Sequence, residues 1–164
     1  MCDIVYKVYQ DSQEYFKMKI STRGRYGTRM LLDLAQHENG GRILLRDISL
    51  RQKISLSYLE RLISPLVAGG IIRTTRGPNG GVSLAKRPEQ IRLSEVIQVL
   101  EGSTAPVECV KDPMVCDRSG ICATRDIWHE LRKKTDSFLE SITIKDLVER
   151  QNQKMKSDKS MYYI

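Results

Sequence analysis

Three cysteines fall within CVKDPMVCDRSGIC, at Cys109, Cys116 and Cys122, spaced C-x6-C-x5-C. Thiolates are soft ligands for zinc and for iron-sulfur clusters, and a pair of thiols can also cycle through a disulfide. The spacing lacks the close C-x2-C pairs of zinc knuckles. It also differs from the C-x2-C-x2-C run of bacterial ferredoxins, so by itself it describes three thiolates on one loop. Asp112-Pro113 and Ser119-Gly120 supply turns that can aim the sulfurs inward. Lys111, Asp112, Asp117 and Arg118 make the segment an exposed loop rather than core. Cys2 is remote and incidental.

The second chemistry is cationic. The chain carries a net charge of +7, unevenly distributed: residues 18–92 hold 14 Lys and Arg against 5 Asp and Glu, residues 93–164 hold 11 against 12, and residues 1–17 hold 2 against 3. A polyanion partner therefore belongs to the first half. No run of about 18 apolar residues offers a membrane span, and the start, MCDIVYKVYQDSQEYFK, lacks the apolar core of a secretory signal, so a cytoplasmic location is expected. In a reducing compartment the cysteines read as metal or redox groups rather than structural disulfides. His37 and His129 are the chain's two histidines. With no nucleophile-base-orienter set and no phosphate-cradling glycine loop, an enzyme is not expected.

The elements that position these groups follow from periodicity. Tyr26, Met30 and Leu34, with Leu31 and Ala35, form a helical stripe ending near His37 before Asn39-Gly40-Gly41. A short ILL strand precedes Asp47, which opens a second helix breaking near Ile54-Ser55. In SLSYLERLISPLVAGG, Leu59, Leu62, Ile63, Leu66 and Val67 define a third helix that Pro65 should kink or shorten. Ser57 and Glu60 have capping-box spacing at its start. IIRTTRGPNGGVSLA reads as a β-hairpin around a Gly/Pro/Asn turn, and Ser94 to Glu101 as a helix returning to the core.

A helix pair followed by a basic hairpin composes a winged helix-turn-helix, so the fold class is mainly α with a small β-hairpin wing and a long C-terminal dimerisation helix. In such a unit the second helix of the pair presents its first residues to the DNA major groove while wing and loop cations hold phosphates. The candidate DNA contacts are Ser57, Tyr58, Glu60 and Arg61 on that helix, with Ser55 beside them, and Arg73 and Arg76 in the wing. Arg23, Arg25 and Arg51 are candidates for phosphate. Glu60 can accept from cytosine N4 and Arg61 can donate to guanine, although capping alone would account for Ser57 and Glu60.

Beyond the cysteines, Trp128, Leu131, Thr135, Phe138 and Ile142 recur at 3, 4, 3 and 4 residues, a narrow apolar seam suited to a second copy of the chain or to docking on its own domain. Thr143 and Asp146 have capping-box spacing for a last helix from Ile144 to about Gln151. The resulting organisation is an N-terminal extension at 1–17, a winged domain at 18–102, a cysteine loop at 103–123, dimerisation and terminal helices at 124–151, and a flexible tail at 152–164.

The ordered set STRGRYGTRMLLDLA, SLSYLERL, RGPNGGVSLA, the three cysteines, the Trp-bearing helix and ITIKDLVE closely resembles the IscR-type iron-sulfur regulators over about residues 18–150. The resemblance implies a homodimeric transcription factor, expected to repress cluster-assembly or related genes, that binds a roughly palindromic double-stranded operator. It also implies a cluster held near the dimer helix, usually 2Fe-2S, by residues matching Cys109, Cys116 and Cys122. Positions matching Ser57, Glu60 and Arg61 lie on the family's recognition helix and that matching Arg76 in its wing. Here Arg61 stands where the best-known relatives have glutamine.

Arg125 stands where that family commonly places a ligating histidine, and a protonated guanidinium has no lone pair for iron. His129, one helical turn further, is an alternative fourth ligand. Asp126, Glu130, a partner's carboxylate, water or a small thiol are others, and three protein ligands would also suit a 4Fe-4S cluster. A nitric oxide or iron sensor, or a zinc or thiol-redox repressor, could use the same cysteines.

Overall fold

The stripe from Tyr26 to Leu34 dictates a helix. The structure, a computed structural model describing residues 20–37, 41–77 and 80–161, places it at α1, Thr22–His37, with Met30, Leu31 and Leu34 fully buried. Then come α2 (Leu45–Gln52), α3 (Leu56–Ala68), β1 (Ile72–Thr75), β2 (Gly81–Leu84), α4 (Leu93–Glu101), α5 (Glu108–Lys111), α6 (Ala123–Glu140) and α7 (Ile144–Met161). Two single turns of 3-10 helix occupy Pro88–Gln90 and Pro113–Val115. Among the described residues, 20–104 and 133–161 make up one compact unit and 105–132 another. The N-terminal extension, Cys2 and the Pro78-Asn79 hairpin turn lie outside the described residues.

In the larger unit, Leu59, Leu62 and Leu66 of α3, Ile71, Ile72, Val82 and Leu84 of the hairpin, Val96 and Leu100 of α4, and Ile144 of α7 close one core with α1. The strands pair antiparallel in the register Ile72↔Leu84 to Thr75↔Gly81. The ILL strand is not formed. Ile43 alone bridges Val82, by hydrogen bonds of 2.9 and 2.8 Å, because Leu45 is already helical. Asp47 consequently lies in the first turn of α2 rather than before it, where its charge suits the helix N-terminus.

The capping box expected at Ser57 and Glu60 is absent. The Ser55 carbonyl accepts from Tyr58 and Leu59 N–H, both at 3.1 Å, so the helix starts at Leu56 and the pair falls too deep in it for that geometry. Pro65 does not end α3, which runs on to Ala68 and closes through Gly69 N–H to the Pro65 carbonyl at 2.9 Å. At Thr143 the box does form: its N–H and hydroxyl donate to Asp146 at 2.8 and 2.7 Å, and Asp146 N–H donates back at 3.2 Å. The Thr143 hydroxyl and N–H thereby hold the Asp146 carboxyl below its ordinary pKa. From there α7 continues to Met161, past the expected end near Gln151 and into the segment read as a tail.

Asp33 on α1 is the buried charged side chain of the described core, at 0% exposure. Arg51 clamps it with Nε at 3.1 and 3.0 Å and a terminal nitrogen at 2.6 Å, and Gln52 Nε2 adds a bond of 2.9 Å. That hydrogen bonding raises the Arg51 pKa above an already high value, so the cation persists. Arg29 joins by donating to both the side chain and the carbonyl of Gln52. Arg51→Ala should lower the unfolding free energy by about 2–3 kcal/mol, because it strands a buried carboxylate. Adding Asp33→Ala should recover part of that loss; a double-mutant cycle in urea checks both.

Candidate functional site

With its leucines turned inward, α3 leaves Ser57, Glu60, Arg61 and Ser64 exposed on the other face at helical spacing. Ser64 was missed in the sequence although it continues the same i, i+3, i+7 series. Ser57 and Glu60, released from capping, have no other structural task among the described contacts. Tyr58 is half-buried and packs edge-on against Tyr26 of α1, with ring centroids 5.4 Å apart. Arg25 and Arg29 flank that Tyr26 ring at 5.8 and 5.6 Å, which brings two cations to the first turn of α3.

In the wing, Arg73 is exposed on β1 and Arg76 is exposed just past its end. Gly80 permits the return, since a Cβ there would press on the Thr75 and Gly77 carbonyls. Arg42, next to the Ile43–Val82 bridge, is an exposed cation beside the wing, and Arg46 is exposed in the first turn of α2. Neither was singled out by sequence reasoning, because only the bridge and the earlier helix start reveal their placement. Arg51, expected at a phosphate, is instead committed to Asp33, and Arg23 reaches the Leu100 carbonyl at 3.5 Å.

Residues 105–132 build the thiol site. Cys109 lies on α5, beside the buried Val110. Asp112 accepts from Met114 N–H at 2.9 Å to open the following turn, and bonds from Ser119 N–H to the Cys116 carbonyl at 3.0 Å and from Ile121 N–H to Arg118 at 3.1 Å fold the rest. The Cys122 carbonyl starts α6 by accepting from Arg125 N–H at 3.0 Å. The Thr124 hydroxyl, 3.1 Å from Sγ, and then the Arg125 backbone N–H hold the Cys122 thiol below its ordinary pKa, which favours the thiolate a metal needs.

All three thiols are free and half-buried. They are not gathered: among the described residues no group of three or more His, Cys, Asp or Glu side chains is placed to hold a metal. His129 stands exposed on α6 and joins no such group. The donor set nevertheless suits the iron of an iron-sulfur cluster in kind, with three soft thiol donors on one short loop and one already biased toward ionisation. Arg125 turns back to the loop, Nε donating to the Cys109 carbonyl at 2.9 Å and a terminal nitrogen to the Ser119 carbonyl at 3.5 Å.

The apolar seam is divided. Trp128 and Phe138 are 40 and 60% exposed and Leu131 and Thr135 half-buried, whereas Ile142 is 7% exposed; Ile127, outside the seam's spacing, is 59% exposed. Ile142 cannot face a second chain as expected. The helix ends at Glu140, and the Ile142 carbonyl accepts from Leu93 N–H at 2.8 Å, folding that residue onto its own domain.

Comparisons with known proteins agree with this architecture. Residues 20–150 match the Rrf2 model, described as an iron-dependent transcriptional regulator. The chain is 44% identical over 131 residues to the protein rrf2 of Nitratidesulfovibrio vulgaris, covering 80% of this chain and 87% of that one. It is 38% identical over 135 residues to the transcriptional regulator IscR of Yersinia pestis, covering 82% of each. Among solved structures, the global cysteine regulator CymR of B. subtilis superposes with a TM-score of 0.68 at 36% identity, covering 80% of this chain and 97% of that one. T. potens IscR gives 0.67 at 34%, covering 81% and 88%.

Arg76→Ala should weaken binding to a DNA duplex about tenfold and reduce the slope of log affinity against log salt by about 1, measured by fluorescence anisotropy across a salt series. From the match over residues 20–150, with wing and recognition helix in place, the chain belongs to the Rrf2 family of DNA-binding transcriptional regulators and is IscR-like within it.

Proposed function

We propose that this protein is a homodimeric regulator, acting as a repressor, that reads a roughly palindromic operator and reports iron-sulfur status through a cluster on Cys109, Cys116 and Cys122. The observation that carries the reading is the set of three free thiols confined to residues 109–122 of a chain whose family model is described as iron-dependent. Supporting it, Met114 and Ile121 are 88 and 81% exposed next to those thiols, apolar groups that a folded-over cluster loop would cover. The exposed Ile127, Trp128 and Phe138 support a second chain against α6.

When bound, the cluster supplies an oxygen- and iron-sensitive crosslink among three thiolates. The chain's own part is to present those thiolates, with Cys122 held toward ionisation, and to convey the order of the loop along α6. The far end of that helix is fixed to the winged domain by the buried Leu139 and by Arg92 donating to the Glu140 carbonyl at 2.7 Å. Loop order then biases how the two recognition helices are held. Ser57, Glu60 and Arg61 read base edges in this account, while Arg25, Arg73 and Arg76 meet phosphate or the minor groove.

A thiol-redox repressor is the second reading. The thiols are separate and free, and the related solved structures include an oxidised form of Staphylococcus aureus CymR. Metal analysis decides between the two. Protein purified anaerobically should be coloured and hold iron and acid-labile sulfide in near-equal amounts, with 2Fe-2S the expected form and 4Fe-4S the other outcome. Colourless protein with zinc or no metal would contradict the cluster reading, and His129→Ala with unchanged iron and absorption would exclude that histidine as ligand.

A further inference from the structure

Arg125 leaves the first turn of α6 and reaches back over the cysteine segment. Its Nε donates to the Cys109 carbonyl at 2.9 Å and a terminal nitrogen to the Ser119 carbonyl at 3.5 Å. These two carbonyls flank Cys116 in sequence, so one side chain ties both arms of the loop to the helix that Cys122 begins. Arg132, further along the same helix, donates to the Val110 carbonyl at 3.3 Å and secures α5 alongside. Only an arginine supplies several donors in a rigid plane wide enough to serve two carbonyls; a lysine is a single point charge.

We propose that Arg125 is a clasp that keeps the cysteine segment folded without metal, and that it thereby sets how readily the three thiols take a metal up. It is a positioning residue: it has no lone pair to offer iron and acts on the thiols through the backbone of Cys109 and Ser119. A loop closed in advance leaves less chain entropy to be lost when the ligands converge. The uptake half of this inference rests on the reading of the cysteines as ligands; the clasp itself does not.

The test uses full-length, reduced, metal-free protein as wild type, Arg125→Ala and Arg125→Lys, each followed by hydrogen–deuterium exchange and by titration with cobalt(II). Amides of residues 105–122 should exchange about tenfold faster in both variants while those of residues 22–101 stay unchanged. Cobalt affinity should fall about fivefold to tenfold, and the thiolate-to-cobalt absorption at saturation should keep its wild-type intensity, because no ligand has been removed.

Equal protection of residues 105–122 in all three proteins would overturn the clasp, as would full restoration by lysine. A weaker band at saturation would make Arg125 part of the ligand set's integrity and overturn its positioning role. If no thiolate–cobalt band forms in any of the three, the ligand reading fails while the exchange comparison still decides the clasp. Should the alanine variant lose protection in residues 22–101 as well, the lysine variant carries the comparison.

Discussion

A carboxylate with no exposure to water has to be answered inside the fold, and Asp33 is answered by the last two residues of α2. The obligation fixes how α2 leaves α1. One residue later Lys53 takes a left-handed conformation at φ 53°, ending α2, and two residues after that Ser55 stands at the N-cap position of α3, without a side-chain capping bond. Asp33 thereby fixes the end of α2 from which the turn to α3 starts, while the leucines of α3 set which of its faces looks outward. Arg29 extends the same network on one side and stands over Tyr26 on the other, so α3's first turn is anchored through Tyr58 to the helix that carries Asp33.

A second tie binds the opposite end of the winged domain. Glu101, the last residue of α4, accepts from Ser21 N–H and hydroxyl at 3.0 and 2.6 Å and from Gly24 N–H at 2.9 Å, satisfying donors at the start of α1. A Cβ at position 24 or 27 would meet the Glu101 carboxylate or a Leu100 methyl, so those side-chain ends would have to shift. Directly after this tie the chain enters the cysteine segment. It returns through α6, where Thr104 donates to Asp136 and Arg92 and Ser94 hold Glu140. The thiols therefore lie on a span of chain whose two ends are both fastened to the DNA-binding domain.

Much of this was legible from the residues. Apolar spacing announced α1, α3 and α4, the Gly-Pro-Asn turn announced the hairpin, and Thr143 with Asp146 announced the start of α7. The misses have two causes: a helix start set by its own backbone, and local spacing outweighed by distant partners. Ser57 and Glu60 have the spacing of a box, yet the backbone begins the helix at Leu56. Ile142 continues a heptad in sequence but is drawn into its own domain by Leu93. Arg51 looked like a free cation because nothing in its neighbourhood names Asp33, 18 residues away, as its acceptor. Arg125 was visible as a departure from a ligand, and its bonds to two carbonyls were not.

These constraints leave a basic wing and recognition helix in one unit and three free, half-buried thiols in the other. In the proposed function the second alters the first. The most direct measurement compares operator affinity for cluster-loaded and metal-free forms of one anaerobic preparation, using duplexes selected from a random-sequence pool. Affinities that differ by about tenfold or more, or selected sequences that differ between the forms, are the expected result. Identical affinities and identical selected sequences would contradict it.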